Sequence, residues 1–278
     1  MEVTESGTGM LNGKLLLGVD TCGPVGSVAL GRLAGGRVEI LGQIELEGRS
    51  YSARLVAAIG ELLAAADTQL SLLHAMVAVN GPGSFTGVRV GLSAVKGLAE
   101  PGRIPVVAVS RLEVLAWKGG SAAAALDAHR QEVFLRVGER ELLAGAGELA
   151  TFDFVGAGGG KIPDGHSKFE PPISSGAKAH SQSTGCDVRA EARTLQPDLF
   201  SVAVCDKAAA ALLAGWPGTR LVNVEAPTAA DALRLCAGRV ESGDFADLAL
   251  LDGHYLRRSD AEIFGDATKA KSGAVEGA

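Results

Sequence analysis

The stretch 80–99, Asn-Gly-Pro-Gly-Ser-Phe-Thr-Gly-Val-Arg-Val-Gly-Leu-Ser-Ala-Val-Lys-Gly-Leu-Ala, restricts the fold more than any other part of the chain. An apolar run at 75–79 precedes it and reads as a buried strand. Gly81, Pro82 and Gly83 then make a turn that few other residue types could make. Ser84 and Thr86 are good helix N-caps, and helical spacing begins at Gly87. Strand, glycine loop and helix together form a place where free backbone N–H groups can hold an anion. Two specific chemistries fail. A Walker loop needs Lys then Ser or Thr after its second glycine, but Gly87 is followed by Val88 and Arg89. A serine-hydrolase elbow needs glycines two residues either side of Ser84, where Pro82 and Thr86 stand. The helix is more informative. Gly87, Gly91 and Ala94 share one face, beside Val88, Leu92 and Val95. A glycine inside a helix costs about 1 kcal/mol against alanine. Two on one stripe imply a close neighbour, either the chain's own sheet or another protein's helix.

With 278 residues the chain suits two domains or one large one. A hydrophobic content of 47% against 21% charged residues points to a folded soluble protein, expected in the cytoplasm. No apolar run reaches membrane-spanning length, and the first thirteen residues show neither a basic start nor an apolar core of a secretory signal. A net charge of −6 argues against general nucleic-acid binding by this chain alone. The four cysteines, Cys22, Cys186, Cys205 and Cys236, form no CxxC pair and read as reduced thiols.

Strands are expected at 14–20, 25–30 and 37–46, a helix at 50–66 capped by Ser50, the strand at 75–79, and the helix from 86. A strand at 105–109 and a helix at 110–117 complete a β-β-β-α-β-α-β-α order, a mixed sheet covered by helices. The opening recurs: 122–127 again ends in Asp, and 132–138 is its hairpin partner. This duplication is the layout of the two-lobed actin-like ATPase and sugar-kinase (ribonuclease H-like) α/β fold. Residues 1–13 are expected to be flexible, 14–119 one lobe, 120–258 the other, and 259–278 a flexible tail. A Gly/Pro/Ser-rich stretch at about 156–196 reads as a long surface insert. After it come a strand at 201–205, a helix at 207–214, a strand at 221–224 and a helix at 228–240.

Actin-like ATPases grip phosphates with two hairpin loops. The first loop here has what such a loop needs: Asp20, Thr21, Gly23 and Ser27, a residual phosphate loop. The second, 127–132, has no glycine to let backbone amides approach a phosphate, so it is damaged. The five histidines include no i, i+4 pair, and no metal ligand set is expected. Asp127, Arg130 and Glu132 could form an ion-pair cluster.

Residues 16–21 with 26–30, the 80–92 segment, 96–99, 109–112, 126–134 and Tyr255-Leu-Arg-Arg together resemble the TsaB (YeaZ) family. The resemblance is strong over about 14–138 and moderate from about 200 to 258. It implies an actin-like fold and a noncatalytic role in making threonylcarbamoyladenosine beside the tRNA anticodon. It also implies a heterodimer with the transferase TsaD, joined by the ATPase TsaE, with tRNA bound through the complex. On this resemblance no cofactor is held tightly by this chain, ATP and metal sit on partner subunits, and a homodimer stays open. The implied partner interface lies on helices 50–66 and 86–99: Ser50, Leu55, Ile59, Leu62, Gly87, Arg89, Val90, Gly91, Ala94 and Val95. Relatives often read His-Ser where this chain has Tyr51-Ser52, and Asp-Ala-Arg where it has Asp127-Ala128-His129. An independent actin-like ATPase or small-molecule kinase is the alternative, and the damaged second loop weighs against it.

Overall fold

The run Leu-Leu-Leu-Gly-Val-Asp in β1 (Lys14–Asp20) is apolar because the strand is central, with a neighbour on each side. β1 pairs antiparallel with β2 (Val25–Ala34) and parallel with β4 (Leu73–Val79). β3 (Arg37–Glu47) and β5 (Val106–Val109) close a five-stranded sheet in the order β3-β2-β1-β4-β5. The computed structural model describes residues 13–145, 149 and 200–257. The expected insert at 156–196, the tail at 259–278 and residues 1–12 of the N-terminal stretch lie outside them.

A second sheet repeats the first. β6 (Ala123–Asp127), β7 (Glu132–Val137), β8 (Arg140–Gly145), β9 (Phe200–Val204) and β10 (Thr219–Asn223) run in the order β10-β9-β6-β7-β8. Read from its other edge this is the same order, with the same antiparallel hairpins and parallel crossovers. The fold is a two-lobed, actin-like α/β arrangement.

Helices α1 (Tyr51–Ala65) and α2 (Phe85–Gly102) pack on the first sheet and on each other. Ser84 caps α2 as expected, its Oγ accepting from Gly87 N at 3.3 Å. Ser50 does not cap α1 through its side chain; its hydroxyl donates back to the Glu47 carbonyl at 2.8 Å.

The last helix of each half crosses over. α3 (Arg111–Lys118) follows the first sheet in sequence, yet Leu112, Leu115 and Ala116 are buried against Ala124, Leu126 and Phe134 of the second. After α4 (Lys207–Leu213), α5 (Ala229–Leu235) returns to β1 and β2 of the first sheet, burying Ala229, Ala232 and Leu233 there. The continuous helix expected at 228–240 is broken at Cys236, and α6 (Ala237–Ser242) follows. In sequence order α3 follows the first sheet and α5 the second, yet each covers the other sheet. Helix periodicity shows which residues are apolar but not which sheet they cover. Lys118 on α3 bonds Asp231 on α5 at 2.9 Å, so the two exchanged helices are tied.

The glycine stripe faces inward. A Cβ added at Gly87 would overlap the Thr21 carbonyl, and one at Gly91 would overlap Thr21 Oγ1. The close neighbour of these glycines is thus the chain's own β1–β2 loop rather than a partner helix. Gly91→Leu should lower the melting temperature of the isolated chain. Overpacking of this kind costs about 1–3 kcal/mol, at about 2–4 °C per kcal/mol in a chain of similar size. Differential scanning calorimetry of the purified variant checks this, and an unchanged melting temperature would contradict the inward placement.

Candidate functional site

Asp20 ends β1 with its side chain 1% exposed, in the loop from which a phosphate grip was expected. One oxygen accepts the backbone N–H of Cys22 at 2.8 Å. The other accepts Arg111 Nε at 3.3 Å, from a guanidinium that is itself buried. Burial pushes the Arg111 pKa down, but the Asp20 charge outweighs it and the net direction is up. The guanidinium also packs over Gly23, where an added Cβ would collide with Nη2. A cation of the chain's own thus fills the space beside the loop.

The remaining loop residues are equally committed. Thr21 Oγ1 donates to the Gly87 carbonyl at 2.7 Å, which is why α2 needs glycine there. Tyr51, 3% exposed at the start of α1, donates its hydroxyl to the Gly23 carbonyl at 2.7 Å. Burial first, then the Asp20 charge, push its phenol up to about 12. Burial likewise drives the Cys22 thiol well above its ordinary range, and Cys22 Sγ lies 3.3 Å from the Val79 carbonyl. Ser27 does not join this cluster; its Oγ accepts Ala229 N at 2.8 Å and seats α5. Of the four residual phosphate-loop residues, the structure gathers Asp20, Thr21 and Gly23 around Arg111 and turns Ser27 to the other helix.

The glycine turn is closed by two distant segments. Arg111 N donates to the Gly81 carbonyl at 2.6 Å, and His254 N donates to the Asn80 carbonyl at 2.7 Å. His254 Nε2 lies 2.8 Å from Glu141 Oε2 on β8. Glu141 also accepts from Ser110 Oγ at 2.8 Å and Arg136 Nη1 at 2.6 Å. Burial pushes the Glu141 carboxyl up, but these three bonds prevail and hold it below the usual range. Glu141 therefore joins the second sheet, the α3 cap and the C-terminal segment.

The second hairpin turn lacks glycine and shows it: His129, Arg130 and Gln131 all have positive φ, near +60°. Such backbone costs of order 1–3 kcal/mol per residue. Asp127 answers part of it, accepting His129 N at 2.8 Å with His129 Nδ1 3.0 Å away. Within the expected ion-pair cluster, Asp127 pairs with His129 and Glu132 with Arg257.

The ten residues expected at a partner interface divide sharply. Leu55, Ile59, Leu62, Gly87, Gly91 and Val95 are buried in the chain's own core, and of these Leu55 also lines the groove between the two helices. Val90, Ala94 and Ser50 are half-buried, and Arg89 is exposed. The buried positions belong to the apolar stripe that packs on the sheet. What α1 and α2 do present is a shallow groove of about 330 Å³, lined by Tyr51, Ser52, Leu55, Val56, Arg89, Val90, Ser93 and Ala94. Val56, 58% exposed, stands at its rim. The sequence reading missed Val56, Ser52 and Ser93, although their spacing opposite the buried stripe could have shown them. It missed Arg111 and Glu141 too. Their partners are separated in sequence by 91 and up to 113 residues, with no local signal.

Among the described residues no three His, Cys, Asp or Glu side chains come together as a metal site, and no helix is long and apolar enough to cross a membrane.

A family model described as TsaD, tRNA N6-adenosine threonylcarbamoyltransferase, matches residues 42–151. The chain is 34% identical over 125 residues to the tRNA threonylcarbamoyladenosine biosynthesis protein TsaB of Escherichia coli, covering 43% of this chain and 52% of that one. It is 36% identical over 132 residues to TsaB of Haemophilus influenzae, covering 45% and 54% respectively. Its matches thus span about half the length of these curated relatives. The solved structure of YeaZ from Pseudomonas aeruginosa superposes with a TM-score of 0.58 at 23% identity, covering 87% of this chain and 100% of that one. Both walls of the α1–α2 groove and Arg111 fall inside the stretch matched by the transferase family model.

Two outcomes follow. Removing one partner of a buried ion pair costs about 3–5 kcal/mol. Urea unfolding should show that loss for Arg111→Ala, while Arg111→Ala with Asp20→Asn should cost less than the sum of the single changes. Additive losses would mean that the two groups are not coupled. The Tyr51 phenol is raised on folding from 10.0 to about 12. Its contribution is therefore complete below pH 10 and lost as pH rises through about 12. Tyr51→Phe should flatten the fall in unfolding free energy across that window, and equal slopes would contradict it.

Proposed function

We propose that this chain is a noncatalytic subunit in the synthesis of threonylcarbamoyladenosine on tRNA. In this reading it binds a TsaD-type transferase through the exposed rims of α1 and α2. The observation that carries the proposal is the 34–36% identity to proteins named for that biosynthesis, over a stretch of 125–132 residues. The noncatalytic part is supported by the Asp20–Arg111 pair: the carboxylate best placed to serve a nucleotide site is bonded to a buried internal cation. A TsaE-type ATPase and tRNA complete the proposed assembly, in the cytoplasm, with ATP and metal on the partner subunits. The groove between α1 and α2 supports the docking assignment, since it places apolar Val56 and Val90 beside a charged Arg89. Such a mixture suits a heteromeric contact that must also be soluble alone.

The test is co-purification with the TsaD of the same cell, followed by a tRNA-modification assay with and without this chain. Modified nucleoside should accumulate only when the chain is present, and the chain alone should not turn over ATP. Modification that proceeds equally well without it, or ATP turnover that co-elutes with the purified chain, would overturn the proposal.

A further inference from the structure

We infer that Arg89 is the anion-recognising residue of the α1–α2 face, held over the Phe85 ring and beside Tyr255 to receive a carboxylate from a partner helix. The inference rests on the preceding reading, that this face meets a TsaD-type transferase, and names the chemistry of the contact. The guanidinium carbon lies 3.8 Å from the centroid of the Phe85 ring and 6.0 Å from that of Tyr255. The two rings pack against each other with centroids 4.8 Å apart, tilted at 46°. A guanidinium lying on an aromatic face keeps its N–H donors directed outward in its own plane, the geometry that a carboxylate accepts with both oxygens. Arg89 is exposed, and among the described residues no carboxylate pairs with it. On the same helices Arg54 pairs with Glu61, so Arg89 is the stacked cation left available at the groove. An occupant with a carboxylate for Arg89 and an apolar side chain for the space between Val56 and Val90 satisfies both features at once.

Tyr255 is a positioning residue in this account. It follows His254, which is pinned by its backbone bond to Asn80 and its ring contact with Glu141. Gly253 lets the ring fold back along the chain, because a Cβ there would collide with it. The C-terminal segment, packed on the first sheet and tied to the second through Glu141, thereby places the Tyr255 ring beside Arg89.

The experiment measures binding of the full chain to the TsaD of the same cell by titration calorimetry, with melting temperatures as a folding control. Arg89→Ala should weaken binding by about tenfold or more. Arg89→Lys should fail to restore it, since an ammonium neither stacks nor binds bidentately. Tyr255→Ala should weaken binding by roughly threefold, and Tyr255→Phe should restore it. The double variant carrying both Arg89→Ala and Tyr255→Ala should bind no worse than Arg89→Ala alone. Added salt should weaken the native complex more than the Arg89→Ala complex. Native binding with Arg89→Ala within twofold of it, or full rescue by lysine, would overturn the inference while leaving the docking reading intact. Multiplicative effects of the Arg89 and Tyr255 changes would remove the positioning role. Absence of binding by the native chain would defeat the docking reading itself, and this inference with it.

Discussion

The pairing of Asp20 with Arg111 is the contact on which the rest of the molecule depends. Both groups are almost wholly out of water, so removing either would leave the other as an uncompensated buried charge. Arg111 opens α3, and its backbone N–H holds the Gly81 turn while its side chain holds the β1–β2 loop. One residue therefore fixes the end of the central strand, the glycine turn and the start of the helix that covers the second sheet. In this arrangement a loop suited to gripping a ligand becomes an internal joint.

The joint matters because the two sheets are linked by exchanged helices. α3 is buried on the second sheet and α5 on the first, and Lys118 bonds Asp231 where they meet. Sliding one lobe on the other would require withdrawing Leu112 and Leu115 or Leu233 from apolar cover. Burial of each such side chain is worth about 1.5–3 kcal/mol. Glu141 adds a polar tie among Ser110, Arg136 and His254. Apolar exchange and polar node act in the same direction, toward one fixed relation of the lobes.

That rigidity gives the α1–α2 face its character. Tyr51 and the two glycines lock the inner side of these helices onto the 20–24 loop, leaving the outer side to present Val56, Val90 and Arg89. The glycines let α2 sit close to the loop. A docking surface built on a helix seated this firmly is pre-organised, so less ordering is required on binding.

Much of this was legible in the residues. The apolar runs at 14–20 and 75–79, the Ser84 cap and the repeated strand–Asp–hairpin opening follow from local preferences that operate wherever the segment is placed. The motif at 80–92 carried the resemblance to TsaB proteins. The same residues said that something packs on Gly87 and Gly91 but could not say what. A missing Cβ records closeness, and the identity of the neighbour, Thr21, is a matter of which loop lies 66 residues away. Arg111 and Glu141 were silent for a similar reason: a buried charge is defined by its partner, and theirs come from other elements. The exchange of α3 and α5 was equally hidden, since amphipathic spacing specifies a buried face without naming the sheet that buries it. Sequence by itself determined the elements, their order and the resemblance. Tertiary structure decided which charges pair, which sheet each helix covers and which side of α1 and α2 stays exposed, because those depend on long-range packing that no local pattern encodes.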